Sequence, residues 1–205
     1  MTEPLAVLDP AGVPTGVVKA RAEVHRDGDL HRTLHLWLVR GNRVLMQRRA
    51  AAKDLEPGRL DVAVGGHFRA GETLADVLRE ADEELGVRVA PGELEYLGTF
   101  RTTRHYPGAT DDELQESYLL RRGAPLEGYT LDPAEVDVLY ELPLSGAIAL
   151  YEHGTPLAAA GFDAYGRRND ALLIADDLIE QARTDVAARL RQIQALLASE
   201  VPVRG

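Results

Sequence analysis

GGHFRAGETLADVLREADEELGV, residues Gly65 to Val87, ends in three glutamates, Glu80, Glu83 and Glu84, spaced so that one helical turn presents them together. At 3.6 residues per turn these carboxylates fall within roughly 100° of arc, with Asp76 one turn upstream on the same side. Three anions so close repel one another, so without a cation a carboxyl pKa must rise or the helix must loosen. A hard, oxygen-preferring ion such as Mg²⁺ or Mn²⁺ suits that arrangement. The helix carries its own boundary signals. Thr73 is a cap with Asp76 three residues on, Gly86 fits the position past the C-terminus, and Leu74, Val77, Leu78, Ala81 and Leu85 form an apolar stripe beside the acidic face. Carboxylates at the edge of a buried face look into a cleft. A glutamate-rich helix taken alone is a solvated face. Here a short strand, Leu60 to Val64, and a Gly-Gly turn precede it, and a strand-loop-helix unit brings backbone and carboxylates onto a bound ion.

Outward from this unit, LAVL (5–8), DPAGVPTG and VVKAR read as an opening hairpin, and residues 34–49, LHLWLVRGNRVLMQRR, as a second with Gly41-Asn42 at its turn. Residues 94–104 and 113–122 read as strands flanking a polar loop, HYPGATDD, and strand and helix are expected at Glu135 to Leu142 and Ser145 to His153. From about Asn169 to Glu200 a long helix is expected, with Leu172, Ile179, Val186 and Ile193 recurring every seven residues. That stripe serves either a dimer seam or packing on its own domain.

At 205 residues the chain is long enough for one well-buried core. Its net charge of −10 argues against a nucleic-acid scaffold, which needs a basic footprint. A composition 45% hydrophobic and 27% charged is that of a soluble protein, and with no apolar run of membrane-span length and no signal-like start a cytoplasmic location without membrane partners is expected. The absence of cysteine removes thiolate metal sites and cysteine nucleophiles together.

Gly66, Glu72, Arg79-Glu80-Ala81, Glu83-Glu84, Gly86 and Val87 resemble the Nudix box: Gly, five residues, Glu, seven residues, then Arg-Glu-aliphatic-any-Glu-Glu-any-Gly-aliphatic. One departure stands out: six residues, not seven, separate Glu72 from Arg79. A residue turns a helix by about 100°, so the deletion must be absorbed before Arg79 if Glu72 is to meet it. DPAGVPTG, the HxxxxxHRxxHxW pattern from His25 to Trp37, QRRAAAKDLEPGRLD and GGH are similar to the Nudix branch that includes isopentenyl-diphosphate isomerase and its hydrolase relatives.

The resemblance implies a Nudix-type α/β/α sandwich with a mixed central sheet and a long C-terminal helix. It implies a Nudix domain over 1–165, including the N-terminal hairpin, and a helical extension over 166–205 that packs on the domain or on a dimer partner. It implies a pyrophosphohydrolase, cleaving a diphosphate linkage in a small nucleoside diphosphate derivative, with Mg²⁺ or Mn²⁺ held by Glu80, Glu83, Glu84 and the Gly65 carbonyl. Arg79 would orient those carboxylates and Glu83 or Glu113 would be the general base. Glu116, three residues along the same strand, faces the other way from Glu113. By the isomerase branch, Arg49 and Lys53, with His67, would hold the diphosphate, and the planar fork of Arg49 suits that role. Gly66, Glu72 and Gly86 are the structural positions of the box.

Two other readings remain. The isomerases bind a metal through three histidines and two acids, matched here by His25, His31 and His67 with Asp111 and Glu113, a set that favours Mn²⁺ or Zn²⁺. His31 and His35 are alternatively structural residues at strand starts. Their essential cysteine is Gly65 in this chain, which argues against double-bond isomerisation. The altered box spacing is the support for a Nudix-fold nucleotide sensor without turnover.

Overall fold

The computed structural model describes residues 3–122 and 124–199. A two-stranded antiparallel hairpin opens the chain, β1 (Pro4–Leu8) and β2 (Pro14–Ala20), followed by a short helix α1 (Arg21–Asp27) that ends on Gly28 in the left-handed region. Next come β3 (His31–Arg40), β4 (Arg43–Arg49), β5 (Leu60–Val62) and β6 (Val64–His67), and then two helical pieces, α2 (Leu74–Val77) and α3 (Arg79–Leu85). The chain continues through β7 (Leu94–Tyr106), β8 (Ala109–Arg121), β9 (Val136–Pro143), α4 (Leu144–His153), β10 (Leu157–Asp163), β11 (Ala171–Leu173) and α5 (Arg183–Ser199).

Nine strands form one mixed sheet in the order β11-β10-β9-β4-β3-β8-β7, with β5 against β4 and β6 against β3. Among the described strands only β3 and β8 pair in parallel, and that pairing sets His31 beside Glu113 and Thr33 beside Gln115. Alternation along β3 sorts its side chains between two layers. Trp37 and Val39 join a cluster covered by α4 and α5, whereas Leu34, Leu36 and Leu38 join one covered by Val77, Leu78, Ala81 and Leu85. Helices on both faces of a mixed sheet make the α/β/α sandwich expected from the sequence.

Three local expectations change. The polar loop HYPGATDD is almost all strand: β7 and β8 are joined only by Pro107 and Gly108, and Asp111 lies on β8 with Glu113 and not in a loop. The long C-terminal helix begins at Arg183, not Asn169, because β11 and two 3₁₀ turns take up the preceding residues; Leu172 is on β11 and exposed, and Glu200 lies outside the described residues. The 165/166 division falls in the turn between β10 and β11, and residues beyond it, including Leu173, Leu178, Leu190 and Ile193, belong to the same cluster as α4 and the sheet. The buried face of α5 therefore packs on its own domain. Burying side chains such as Leu190 and Ile193 contributes about 1.5–3 kcal/mol each.

Candidate active site and metal centre

The glutamate helix is capped as its sequence predicts: Asp76 accepts from the backbone N–H of Thr73 (2.8 Å) and from its hydroxyl (2.6 Å), and Gly86 ends α3 at φ +66°. Asp76 is thereby exposed and spent on the cap, away from the acidic row. The missing residue shows as a break. At Leu78 ψ is −7°, far from the helical value of about −42°, and this separates α2 from α3. The tightened turn preserves the contact in question. Glu72 accepts from the backbone N–H of Arg69 (2.8 Å) with one oxygen and lies 3.4 Å from Arg79 Nε with the other, and Arg79 also donates to Glu80.

The two glycines at the head of the unit have different reasons. A Cβ on Gly66 would lie 2.4 Å from Cγ of Glu80, so only glycine lets the glutamate lie across β6. A Cβ on Gly65 would meet nothing within 4 Å, and Gly65 lines an open cavity of about 140 Å³. That cavity gathers Glu80, Glu84, Arg49, Lys53, His67, Gly66 and Glu113 from the residues singled out in the sequence. Glu83 is exposed and outside its lining, although close enough to Glu80 to raise its proton affinity.

Charge in the cavity is unevenly matched. Arg49 donates to Asp61 at 2.8 Å and to the Leu55 carbonyl, Lys53 pairs with Glu135, Arg104 with Glu113, and Arg21 lies 3.9 Å from Glu3. Among the described residues Glu80 pairs only with the shared Arg79, and Glu84, 3% exposed, accepts a single 3.2 Å bond from the amide of Gln47. Burial therefore pushes Glu80 up to about 7, less the help of Arg79 and with the repulsion of Glu83 added. Glu84 is pushed well above the ordinary carboxylate range by burial first and by Glu80 next.

At the other end, α1, the start of β3 and the end of β6 bring His25, His31 and His67 together, with ring centroids 5.2–5.5 Å apart. His31 faces the Asp29 carbonyl with Nδ1 at 3.0 Å, the structural bond expected of a strand-start histidine. Its other nitrogen is different. Nε2 of His31 lies 3.5 Å and Nε2 of His25 3.6 Å from Oδ1 of Asp111, and none of these three buried atoms has a hydrogen-bond partner among the described residues. With Nδ1–H donated, Nε2 of a neutral His31 presents a lone pair to a carboxylate, which a cation between them would relieve. Burial holds His25 down to about 4 and His67 well below its ordinary value, so both keep ligand lone pairs at neutral pH. Two sets have ligand atoms close enough to share an ion: His25, His31 and His67, and His31, Asp111 and Glu113. Arg104 reaches both acids, lying 3.2 Å from Asp111. Against the upward pull of burial it keeps Glu113 well below the usual range, while Asp111 is pushed up to about 6 by burial and Glu113.

Sequence reasoning missed Asp61, Arg104 and Glu135. Asp61 has a signal, a charge inside the apolar run Leu60 to Val64; Arg104 and Glu135 have none. Trp37 is a core residue, as is usual for an indole in a strand, and is 1% exposed.

The NUDIX domain family model matches residues 29–153. The chain belongs to the NUDIX family. It is 37% identical over 144 residues to Nudix hydrolase 3 of Arabidopsis thaliana, covering 67% of this chain and 19% of that protein. It is 35% identical over 130 residues to uncharacterized Nudix hydrolase CA_C0446 of Clostridium acetobutylicum, covering 62% and 63%, and 37% identical over 99 residues to an Escherichia coli isopentenyl-diphosphate delta-isomerase, covering 47% and 54%. The chain thus spans less than two thirds of these curated relatives. In fold it is similar to DR0079 of Deinococcus radiodurans, with a TM-score of 0.61 at 20% identity over 93% of this chain and 98% of that one. Among the described residues no helix is long and apolar enough to cross a membrane.

Proposed function

We propose that the chain is a divalent-metal-dependent pyrophosphohydrolase that cleaves a diphosphate linkage in a nucleoside diphosphate derivative. The observation that carries this reading is the charge of the cavity. Six acids and four cations line it, and every one of those cations already faces a carboxylate. An anionic diphosphate entering such a site needs added positive charge. Glu80, Glu84 and the Gly65 carbonyl would hold the ions, with Glu83 at the edge of the row, and Mg²⁺ or Mn²⁺ matches this all-oxygen set. Bound there, such ions neutralise the diphosphate and lower the pKa of a coordinated water.

The chain's own residues supply the rest. Arg49 and Lys53 exchange their carboxylate partners for phosphate oxygens, and His67 closes the same wall. Arg79 fixes the carboxylate of Glu80. The attacking water loses its proton to a carboxylate as its oxygen joins phosphorus and the bridging P–O bond breaks. Of the bases named from sequence, Glu83 lies outside the cavity lining, and Glu113 is engaged by Arg104 and by the amide of Gln115 at 2.6 Å. We therefore assign the proton to Glu80, which lies in the cavity across Gly66.

The test is turnover of a panel of nucleoside di- and triphosphates, nucleotide sugars and dinucleotides with Mg²⁺ and Mn²⁺. Glu84→Gln is expected to lose on the order of 10²-fold or more of the rate, the scale at which removing a charge-stabilising group acts. Unchanged turnover in Glu84→Gln and Glu80→Gln would refute the site. Ligand binding without product release would support the sensor, whose argument from box spacing is weakened by the retained Glu72–Arg79 contact. The isomerase reading has less support, because no acid-base side chain stands at Gly65.

A further inference from the structure

A second cavity, of about 310 Å³, lies against the first and shares His35 and Asp61 with it. Its walls come from β3, β7 and β8 on one side, with Trp37, Phe100 and Gln115, and from α5 on the other, with Asp185, Val186 and Arg189. This is where the C-terminal helix touches the working end of the fold.

The guanidinium of Arg189 is held in place. Its centre lies 3.4 Å from the centroid of the Phe100 ring. One edge donates to Oε1 of Gln192 at 2.7 Å, and Gln192 in turn donates to the Leu97 carbonyl at 2.7 Å, tying α5 to β7. The ring of Phe100 lies where it does because Gly98, at φ +136°, has no Cβ; one built there would come within 2.5 Å of the ring. No ion pair to Arg189 occurs among the described residues, so the rest of its donor fork is available. The other cation of this wall, Arg101, is taken up by Asp112 at 2.7 Å. Trp37 adds a buried indole N–H with no hydrogen-bond partner among the described residues.

These groups select a kind of ligand. A fixed guanidinium edge and the second N–H of the Gln115 amide, whose first is bound to Glu113, donate, while the Asp185 carboxylate and the Gln115 oxygen accept. A second phosphate would be repelled by Asp185 and would find only one uncommitted cation. A neutral planar heterocycle bearing both carbonyl and amino groups fits the mixed donors and acceptors, and its flat faces fit a wall on which the planar Arg189 guanidinium already stacks over Phe100. We propose that this cavity receives the nucleobase of the substrate, with Arg189 of α5 as the residue that reads it. The inference rests on the hydrolase reading for the diphosphate in the adjoining cavity, and it makes the C-terminal helix a specificity element.

The chain has a single tryptophan, so its emission reports on this cavity directly. The experiment titrates the full chain, in Mg²⁺, with the 5′-monophosphates of the four ribonucleosides and with ribose 5-phosphate, following Trp37 fluorescence. At least one nucleotide is expected to change the emission saturably while ribose 5-phosphate does not. Arg189→Leu is expected to weaken that nucleotide about tenfold or more, and Arg189→Lys, which keeps the charge without the fork, to weaken it similarly, with melting temperatures unchanged. Equal responses to ribose 5-phosphate and nucleotides, no response to any nucleotide, or wild-type binding in Arg189→Leu would each overturn the proposal. Turnover is not read, so failure here leaves the hydrolase reading intact. Glu84→Gln separates the two from the other side, since it is expected to lose turnover and keep the Trp37 response.

Discussion

Glu80→Gln should stabilise the metal-free protein, and by an amount that depends on pH. Glu80 has its folded pKa near 7 against an ordinary value of 4.5, chiefly through burial. An acid whose pKa is raised on folding binds its proton more tightly in the folded state, so its contribution is fully favourable below the unfolded pKa and is lost as pH rises through the folded one. The loss therefore develops between about pH 4.5 and pH 7 and is nearly complete at pH 8. At about 1.36 kcal/mol per unit the cost of the ionised side chain at pH 8 is about 3 kcal/mol. Glutamine resembles the protonated acid, and its amide oxygen still accepts from Arg79. Wild type and Glu80→Gln should thus melt together near pH 5 in chelator and diverge as pH rises, with the variant higher by about 6–12 °C at pH 8 for a chain of this size. Saturating Mg²⁺ or Mn²⁺ should close the gap by stabilising the wild type more. Thermal melts followed by circular dichroism across this pH range, with chelator and with metal, decide the matter. Parallel curves at all pH values, or a variant that melts lower at pH 8 without metal, would show that Glu80 is not ionised against a penalty.

Gly66→Ala places its methyl 2.4 Å from the Glu80 side chain, whose flexible end is what gives way; turnover is expected to fall about tenfold or more while the melting temperature shifts by only a few degrees, and an active variant would show that Glu80 need not lie across β6. Leu190→Ala removes a fully buried side chain from the face of α5, and urea unfolding should show a loss of about 2–5 kcal/mol. A loss below about 1 kcal/mol would mean that α5 is not part of the core, as it would be if its stripe served a partner chain.

The sequence carried the helix unit and the sheet's hairpins because their signals are local: caps, glycine stops and alternation. It failed where a strand faces a polar cavity. Alternation of apolar with polar residues marks a half-buried strand only when its inner face is oily, and from Arg104 to Glu113 the inner face is Arg104, Asp111 and Glu113. Residues 105–112 between the two expected strands look like a loop and almost all belong to the strands. At the C-terminus the opposite happened, since Leu172 and Ile179 fall into a seven-residue recurrence through a strand and a 3₁₀ turn, with no helix joining them. Ligand types were legible in the same uneven way. Histidines and glutamates could be named from their motifs, whereas the pairing of Arg104 with Asp111 and Glu113 arises from β7 meeting β8 across the hairpin, a partnership that no local spacing encodes.

That pairing bears on which end of the cavity needs an ion more. A buried carboxylate without a cation is costly, and a guanidinium within hydrogen-bond distance removes most of that cost. At the histidine end Arg104 already performs this service: Glu113 keeps its charge and Asp111 is only moderately perturbed. His25 and His67 add no charge to balance, because burial keeps both neutral. An ion arriving there must compete with a resident cation for the same two carboxylates. At the glutamate end nothing stands in. Arg79 is divided between Glu72 and Glu80, and among the described residues Glu84 has an amide for its hydrogen-bond partner while facing the repulsion of Glu80. A divalent cation is therefore expected to release more free energy at Glu80 and Glu84, and the competition can be measured. Arg104→Gln should raise the affinity of the histidine end for Zn²⁺, in a manner abolished by His67→Ala, while leaving Mg²⁺ stabilisation at the glutamate row in place. If Arg104→Gln leaves Zn²⁺ binding unchanged in calorimetric titration, Arg104 is not the competing cation and the preference for the glutamate row loses its electrostatic basis.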